Sequence, residues 1–152
     1  MATNRGKEFE KCVLNGFKNT FPDGTIDRIY DTEGFKKGIR NVCDFIGFAN
    51  HNIMYIEAKS CIKNTFNLKK LTQYDKLIEK ANKEGVLAGV LVWFIDHKKV
   101  VFAKIELVEE LINKGVKSIN ARIPETYTIE LDTITKRIYP EINFEKLLNI
   151  VN

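Results

Sequence analysis

Two neighbouring apolar segments in the middle of the chain each carry an acidic residue. They are residues 42–48, Val-Cys-Asp-Phe-Ile-Gly-Phe, and residues 53–59, Ile-Met-Tyr-Ile-Glu-Ala-Lys. Apolar residues on both faces of such segments predict strands of a sheet that is buried on both sides. Burying a carboxylate costs free energy unless the group is paired. The fold must therefore supply Asp44 and Glu57 with partners.

The spacing of the two segments predicts that the acids meet. If Asn50 and His51 form a two-residue hairpin turn, Asp44 lies directly opposite Glu57, with Cβ atoms roughly 4.5–5.5 Å apart. Carboxylates so placed repel each other, and loss of water increases the penalty. A divalent cation between them would remove both penalties. Because side chains alternate along a strand, Lys59 lies on the same face as Glu57.

Read as chemistry, these residues predict a hydrolytic metal site. Mg²⁺ prefers oxygen ligands and needs only one or two carboxylates. Water bound to such an ion loses a proton readily and becomes a nucleophile, while the ion stabilises charge on a phosphate. Lys59 would hold that water or pair with the phosphate. Two other interpretations stay open: an exposed strand with alternating polar residues, and a buried salt bridge between Lys59 and one acid.

The residues around the acids resemble a known nuclease superfamily. Asp44 followed by Glu57, Ala58 and Lys59 is similar to the core of the PD-(D/E)xK nucleases. One branch, the RecU-type Holliday junction resolvases, resembles most of the chain, in the same order. Its matching segments are residues 4–10 (Asn-Arg-Gly-Lys-Glu-Phe-Glu), 57–59 with 63–68, Gln73, 117–119 and 137–140.

The resemblance implies a fold and an activity. The fold is α/β, a restriction-endonuclease-like core with a central mixed β-sheet flanked by helices, and residues 1–152 form a single nuclease domain. The activity is that of an endodeoxyribonuclease dependent on Mg²⁺ or Mn²⁺. It acts on four-way junctions in DNA recombination and repair, as a homodimer. Cys43 stands where family members often have a threonine, and the segment before Asp44 is shorter than the family's protruding stalk.

The resemblance also assigns roles within the site. It makes Asp44 and Glu57 the metal ligands, and it adds three further catalytic residues: Glu10, Lys59 and Gln73. Glu10 would reach the metal through water, and Gln73 would orient water or a phosphate oxygen. Periodicity alone favours a solvated helix acid for Glu10 and an ordinary polar helix residue for Gln73.

Cations flank the acids in the sequence and predict a DNA-binding rim. They are Lys36, Lys37, Arg40, Lys63, Lys69 and Lys70, and the family pattern adds Arg5. Contacts to phosphates supply affinity without reading sequence. Ordinary surface lysines are the other interpretation. The basic loop at residues 33–41 occupies the place of the family's stalk, where junction shape could be sensed.

Length and composition set limits on the function. The chain has 152 residues, 44% hydrophobic and 29% charged, as expected of one globular domain. It has no apolar run long enough for a membrane span and no apolar signal-peptide core. The net charge of +4 permits a polyanionic partner. Three cysteines without CxxC spacing predict neither zinc nor a disulfide framework and suit a reducing cytoplasm.

Periodicity predicts the remaining elements. Helices are expected at residues 5–19, 69–83, 106–113 and 143–151, and strands at residues 25–30, 86–95 and 100–105 beside the two acid-bearing segments. One central mixed sheet flanked by helices accommodates them. Trp93 is expected in the core, and His51 and His97 in turns.

Two alternative functions remain. A nuclease of the same fold could cut duplex, flap or single-stranded DNA, which substrates of equal sequence and different branching would distinguish. A DNA-binding recombination factor with a vestigial site would lack an acid or the lysine, yet Asp44, Glu57 and Lys59 are all present.

Overall fold

A seven-stranded mixed sheet organises the chain. The computed structural model describes residues 4–30, 41–122 and 128–152. The helices are α1 (Arg5–Thr20), α2 (Tyr74–Lys80) and α3 (Ile105–Asn113). The strands are β1 (Thr25–Arg28), β2 (Phe45–Ala49), β3 (Asn52–Cys61), β4 (Thr65–Asn67), β5 (Val86–Phe94), β6 (Lys99–Lys104), β7 (Ser118–Asn120), β8 (Ile129–Lys136) and β9 (Tyr139–Asn143). None of the helices in these ranges is long and apolar enough to span a membrane.

The strand order of the large sheet is β1-β2-β3-β5-β6-β8-β9, and β4 pairs with β7 in a separate two-stranded sheet. Strands β3 and β5 run parallel, whereas the other neighbours are antiparallel. Two antiparallel strands need only a short turn, but the parallel pair needs a long connection. The connection from β3 to β5 contains β4 and α2. The predicted mixed sheet flanked by helices is confirmed.

The sheet separates two apolar cores. Side chains of β5 alternate between them: Leu87, Leu91 and Trp93 pack with α1, whereas Val90 and Val92 pack with α2 and α3. A strand buried on both faces is therefore apolar throughout, as its sequence predicts. Trp93 lies in the core as expected and stacks on Phe9 of α1, with ring centroids 5.3 Å apart.

The hairpin that joins β2 and β3 has the predicted register. Asn50 and His51 have φ angles of 49° and 64°, as a two-residue type I′ turn requires. Phe45 pairs with Ile56, and the pairing continues to the turn without a bulge. Asp44, one residue before Phe45, therefore lies opposite Glu57.

The prediction that both faces of this hairpin are buried is wrong near the turn. Phe48 is 45% exposed there, and Ile53 is exposed as well. Further along the hairpin, Ile46 and Tyr55 pack against the core that contains α2. The helix α2 has only seven residues. It therefore covers its face of the hairpin near Asp44 and Glu57 and leaves that face exposed near the turn.

The predicted helix at residues 69–83 is replaced by two shorter elements. A 3₁₀ turn, Leu68–Lys70, is followed by α2. The Asn67 side chain accepts a hydrogen bond from the backbone of Lys69 at 2.9 Å, which caps the 3₁₀ turn locally. The backbone of Leu68 bonds to Lys117 O at 2.9 Å. Because this turn is bonded to a distant segment of the chain, it does not continue into the single helix that periodicity predicts.

The predicted last helix at residues 143–151 is also wrong. Strand β9 extends to Asn143, and a 3₁₀ helix, Glu145–Asn149, follows it. Phe144 and Leu147 are both fully buried, and a spacing of three residues places them on one side of a 3₁₀ helix. Strands β4, β7, β8 and β9 were not predicted. The predicted strand at residues 25–30 ends at Arg28.

Candidate active site

Four elements bring charged side chains together at the acidic end of the hairpin. Glu10 comes from α1, Arg28 from the end of β1, Asp44 from the residue before β2, and Glu57 and Lys59 from β3. Four of these five residues were predicted. The structure brings those four and Arg28 into one network: Arg28 pairs with Glu10 and Asp44, Lys59 pairs with Glu57, and the carboxylates of Asp44 and Glu57 face each other.

Arg28 links the first two acids. Its Nε and Nη2 atoms each donate to a different oxygen of Glu10 at 3.0 Å. Its Nη2 also lies 3.5 Å from Oδ1 of Asp44. Burial alone would lower the pKa of Arg28, but the bonds to Glu10 and the charge of Asp44 outweigh burial and raise it. The guanidinium lies over the ring of Phe45, 5.6 Å from its centroid.

Sequence reasoning missed Arg28, although a signal was present. Alternation along β1 puts it on the same face as the buried Ile26. A cation on the apolar face of a strand needs an acidic partner.

Asp44 is held from two sides. Besides the contact with Arg28, its Oδ2 accepts a hydrogen bond from the backbone N–H of Ala58 at 2.9 Å. The carbonyl of Asp44 accepts from the backbone of Ile29 at 2.7 Å. The aspartate is therefore fixed to both neighbouring strands.

Glu57 has a different environment. Only 2% of it is exposed. Its Oε2 lies 3.2 Å from Nζ of Lys59, whereas its Oε1 is buried and has no hydrogen-bond partner among the described residues. Burial, followed by the charge of Asp44, raises the pKa of Glu57 to about 7, although Lys59 lowers it.

The burial and the contacts of Glu57 decide between the two other interpretations of these acids. An exposed strand is excluded because Glu57 is buried. The salt bridge between Lys59 and Glu57 is present, but the other oxygen of Glu57 has no partner in residues 4–30, 41–122 and 128–152. Buried polar atoms without partners are rare in native proteins and need an explanation.

A divalent cation fits this pair of acids. The unpaired oxygen of Glu57 and the opposed carboxylate of Asp44 supply the hard oxygen donors that Mg²⁺ prefers. Within the described ranges, no group of three or more His, Cys, Asp or Glu is arranged to hold a metal. Glu10 faces Arg28 instead.

Cys43, next to the acids, adds no charge to the site. Its thiol is buried and donates to the carbonyl of Phe45 at 3.1 Å. Burial, and then the charge of Glu57, raises the pKa of Cys43 to about 12. The residue therefore remains a thiol.

A groove of about 570 Å³ begins at Lys59. Lys63 and Lys70, both predicted DNA contacts, line it. Lys117 lines it as well and was not predicted as a contact. Among the described lining residues the charged side chains are all lysines. The cationic groove, as we name it, thus extends from the acidic site across the β4–β7 sheet.

The other predicted residues lie outside this network or beyond the described ranges. Gln73 precedes α2, and its side-chain oxygen accepts a hydrogen bond from Thr72 at 3.0 Å. Arg5 begins α1 and has a buried Nε without a partner among the described residues. Lys69 is exposed beside the cationic groove. Lys36, Lys37 and Arg40 lie outside the described residues.

A solved structure shares the fold of this chain. A structure of Hjc, a Holliday junction resolvase from the archaeal hyperthermophile Archaeoglobus fulgidus, superposes with a TM-score of 0.52 at 16% identity. The match covers 91% of this chain and 94% of that chain, so the two proteins share a fold. Comparison with curated protein sequences gave no match.

The family comparison is more specific. The sequence model of the family described as RecU, Recombination protein U, matches residues 30–150. This range includes Asp44, Glu57, Lys59 and the described lysines of the cationic groove. Because it covers most of the 152 residues, the chain belongs to the RecU family.

Proposed function

We propose that this chain is a Holliday junction resolvase, a metal-dependent endonuclease that hydrolyses phosphodiester bonds of four-way DNA junctions during recombination. Membership of the RecU family supports this function. The observation that carries it is the buried carboxylate of Glu57, which faces Asp44 and has one oxygen without a partner among the described residues, beside Lys59. A buried carboxylate of this kind can bind a metal ion for hydrolysis, whereas it does not stabilise the packing of the core.

Asp44 and Glu57 are the residues that would hold Mg²⁺ or Mn²⁺. When bound, the ion supplies an acidic water and stabilises negative charge on the phosphate. Asp44 is fixed by Ala58 and Arg28, so its carboxylate is oriented before DNA arrives. Preorganised groups of this kind cost no reorganisation during the reaction.

Lys59 serves both the acids and the DNA. Its Nζ lies 3.2 Å from Glu57, and its side chain also lines the cationic groove. It can therefore hold a phosphate oxygen or the attacking water next to the acids. Arg28 and Glu10 act indirectly, through Asp44. Arg28 binds Glu10 and positions the carboxylate of Asp44.

The cationic groove would carry the DNA backbone. Lys63, Lys70 and Lys117 line it together with Lys59. Lysines that neutralise phosphates give affinity independent of sequence. This suits an enzyme that selects branched DNA by its shape. We retain Lys36, Lys37 and Arg40 as proposed contacts from the segment before Asp44, together with Arg5 and Gln73.

A resolvase nicks two strands of like polarity at symmetric points. With one site per chain, we propose a two-fold homodimer, the commonest closed symmetry. Strand β1, α3 and the segment at residues 123–131 are the candidate dimer surfaces, and part of that segment lies outside the described residues. Light scattering should give twice the chain mass of 17.5 kDa.

The decisive experiment compares cleavage of a four-way junction with cleavage of linear duplex, flap and single-stranded DNA of equal sequence. We expect paired, symmetric nicks in the junction with Mg²⁺ or Mn²⁺, and none in chelator. Equal cutting of all substrates would favour the general nuclease of the same fold. Tight binding without cutting in either metal would favour the DNA-binding recombination factor.

A further inference from the structure

An apolar groove lies next to the cationic groove and is not used by the proposed mechanism. It has a volume of about 380 Å³. Its apolar lining comes from the 3₁₀ turn, the start of α2 and the end of α3, as Leu68, Leu71, Tyr74, Ile112 and Val116. Ile112 is 42% exposed and Val116 is 37% exposed, so water reaches a concave apolar surface here.

The two grooves share a wall. Lys117 lines both. Asn67 lines the cationic groove, and the next residue, Leu68, lines the apolar one. The backbone bond from Leu68 to Lys117 O, at 2.9 Å, fixes this wall in place. A polymer that lies along the lysines therefore passes the mouth of the apolar groove.

The charges at the mouth favour an anionic occupant. Among the described residues that line the apolar groove, the charged ones are Lys69 and Lys117. Neither takes part in an ion pair with another described residue. An apolar floor beside free cations fits a molecule that joins a flat apolar body to a negative charge.

An aromatic side chain is held at the same place. Burial, followed by the nearby charge of Glu109 of α3, raises the pKa of the Tyr74 hydroxyl. The ring of Tyr74 packs against the core, and this packing preorganises it for stacking. Bases stack on aromatic and apolar side chains without regard to sequence, while lysines hold the neighbouring phosphates.

We propose that the apolar groove takes an unpaired nucleobase of DNA whose backbone lies in the cationic groove. This rests on the proposed function, and it names the feature of the substrate that the groove selects: a nucleotide out of the duplex stack. A second copy of the chain fits less well. Across a two-fold axis the same patch meets itself, which would bring Lys69 and Lys117 against their own copies.

The test uses the full chain in chelator, so that DNA is bound and not cut. The variant is Ile112→Gln with Val116→Gln, and the matched control is Ile138→Gln, which changes an apolar side chain of similar exposure (45%) on the turn between β8 and β9. The probes are a linear duplex and the same duplex with one unpaired 2-aminopurine nucleotide.

We expect the double variant to lose roughly tenfold affinity for the DNA with the unpaired base, as for one lost stacking contact. Affinity for the linear duplex should stay unchanged, and the control should bind both as wild type does. Equal losses on both DNAs, or no loss, would overturn the proposal. If Ile112→Gln with Val116→Gln does not fold, Ile112→Ala shortens one exposed side chain instead. The same two DNAs are then compared, and the expected loss of affinity for the DNA with the unpaired base is smaller.

Two other outcomes are distinguishable. If the double variant changes the mass in light scattering while its DNA selectivity stays as in wild type, the groove is a protein contact and the proposal is wrong. If wild type binds and cuts the four-way junction but ignores the unpaired base, this inference fails and the proposed function stands. If wild type neither binds nor cuts the junction, the proposed function itself fails.

Discussion

Asp44 and Glu57 face each other across one hairpin, yet their surroundings are opposite. Asp44 receives a backbone N–H and the guanidinium of Arg28, which also binds Glu10. Glu57 is more deeply buried, and within the described part of the chain it has one ion pair and one oxygen without a partner. The half of the site around Asp44 is complete, because groups of the protein satisfy its carboxylate. The half around Glu57 is incomplete, because the described residues leave one of its oxygens without a partner. The difference indicates that Asp44 positions an ion and that Glu57 needs one.

The largest expected effect is on cleavage when either acid is neutralised. Asp44→Asn and Glu57→Gln should each reduce junction cleavage by orders of magnitude while DNA binding survives, because the lysine groove is untouched. Their effects on stability in chelator should differ. Asp44→Asn breaks a satisfied pair and lowers the melting temperature, whereas Glu57→Gln removes an under-compensated buried charge and does not.

Single-turnover cleavage and thermal melting of the same preparations would check this. Near-normal cleavage by either variant would exclude it as a metal ligand. Equal loss of stability would show that the two halves of the site do not differ as described.

Lys59→Ala should come next in size. Removing one cation aimed at the reacting phosphate costs roughly 100-fold to 1,000-fold in rate. Stability should change little near neutral pH, because Glu57, with a pKa of about 7, can then take up a proton instead. Rate and melting temperature measured together would decide. An active but unstable variant would make Lys59 a structural partner of Glu57.

The pH dependence of stability should reveal the cost of burying the charge of Glu57, in the incomplete half of the site. The pKa of Glu57 is raised from 4.5 to about 7. Between these values the folded protein holds a proton that the unfolded chain has lost, so the free energy of unfolding falls as pH rises, and it levels off above pH 7. The change is on the order of 3 kcal/mol at 1.36 kcal/mol per pKa unit.

Urea unfolding of wild type and Glu57→Gln in chelator, from about pH 4 to about pH 8, would isolate this contribution. The difference between the two curves belongs to Glu57. Parallel curves would mean that the carboxylate is not destabilised by its burial.

The smallest effect should come from the complete half. Arg28→Ala removes charged hydrogen bonds to Glu10 and should lower stability by about 2 kcal/mol. Arg28→Lys should not restore it fully, since an ammonium group cannot bind Glu10 through two parallel bonds. Denaturant midpoints of both variants, with Lys11→Ala as a control for an exposed ion pair of α1, would measure this. A full rescue by lysine would show that charge alone matters.

The sequence predicted what depends on local spacing. A two-residue turn sets the register, so the opposition of Asp44 and Glu57 followed from counting residues. The apolar run around Trp93 predicted a strand buried on both faces. The resemblance to RecU-type resolvases is confirmed by the family match over residues 30–150, whereas the roles of the individual site residues stay predictions.

What the sequence did not predict depends on contacts between distant segments. Arg28 meets Glu10 only because β1 packs beside α1 and β2. The 3₁₀ turn at Leu68–Lys70 exists because Lys117, far along the chain, accepts its backbone bond. Phe144 and Leu147 are spaced for either a helix or a 3₁₀ turn, and packing decides between them.

The tight turn at Asn50 and His51 has a consequence for how this gene can change. Surface loops usually tolerate insertions and deletions. A residue gained or lost here would slip β2 past β3 and turn one strand's side chains to the opposite face. Asp44 would then no longer meet Glu57, although neither acid had been altered. The length of this surface turn is thus as necessary to the site as the acids themselves.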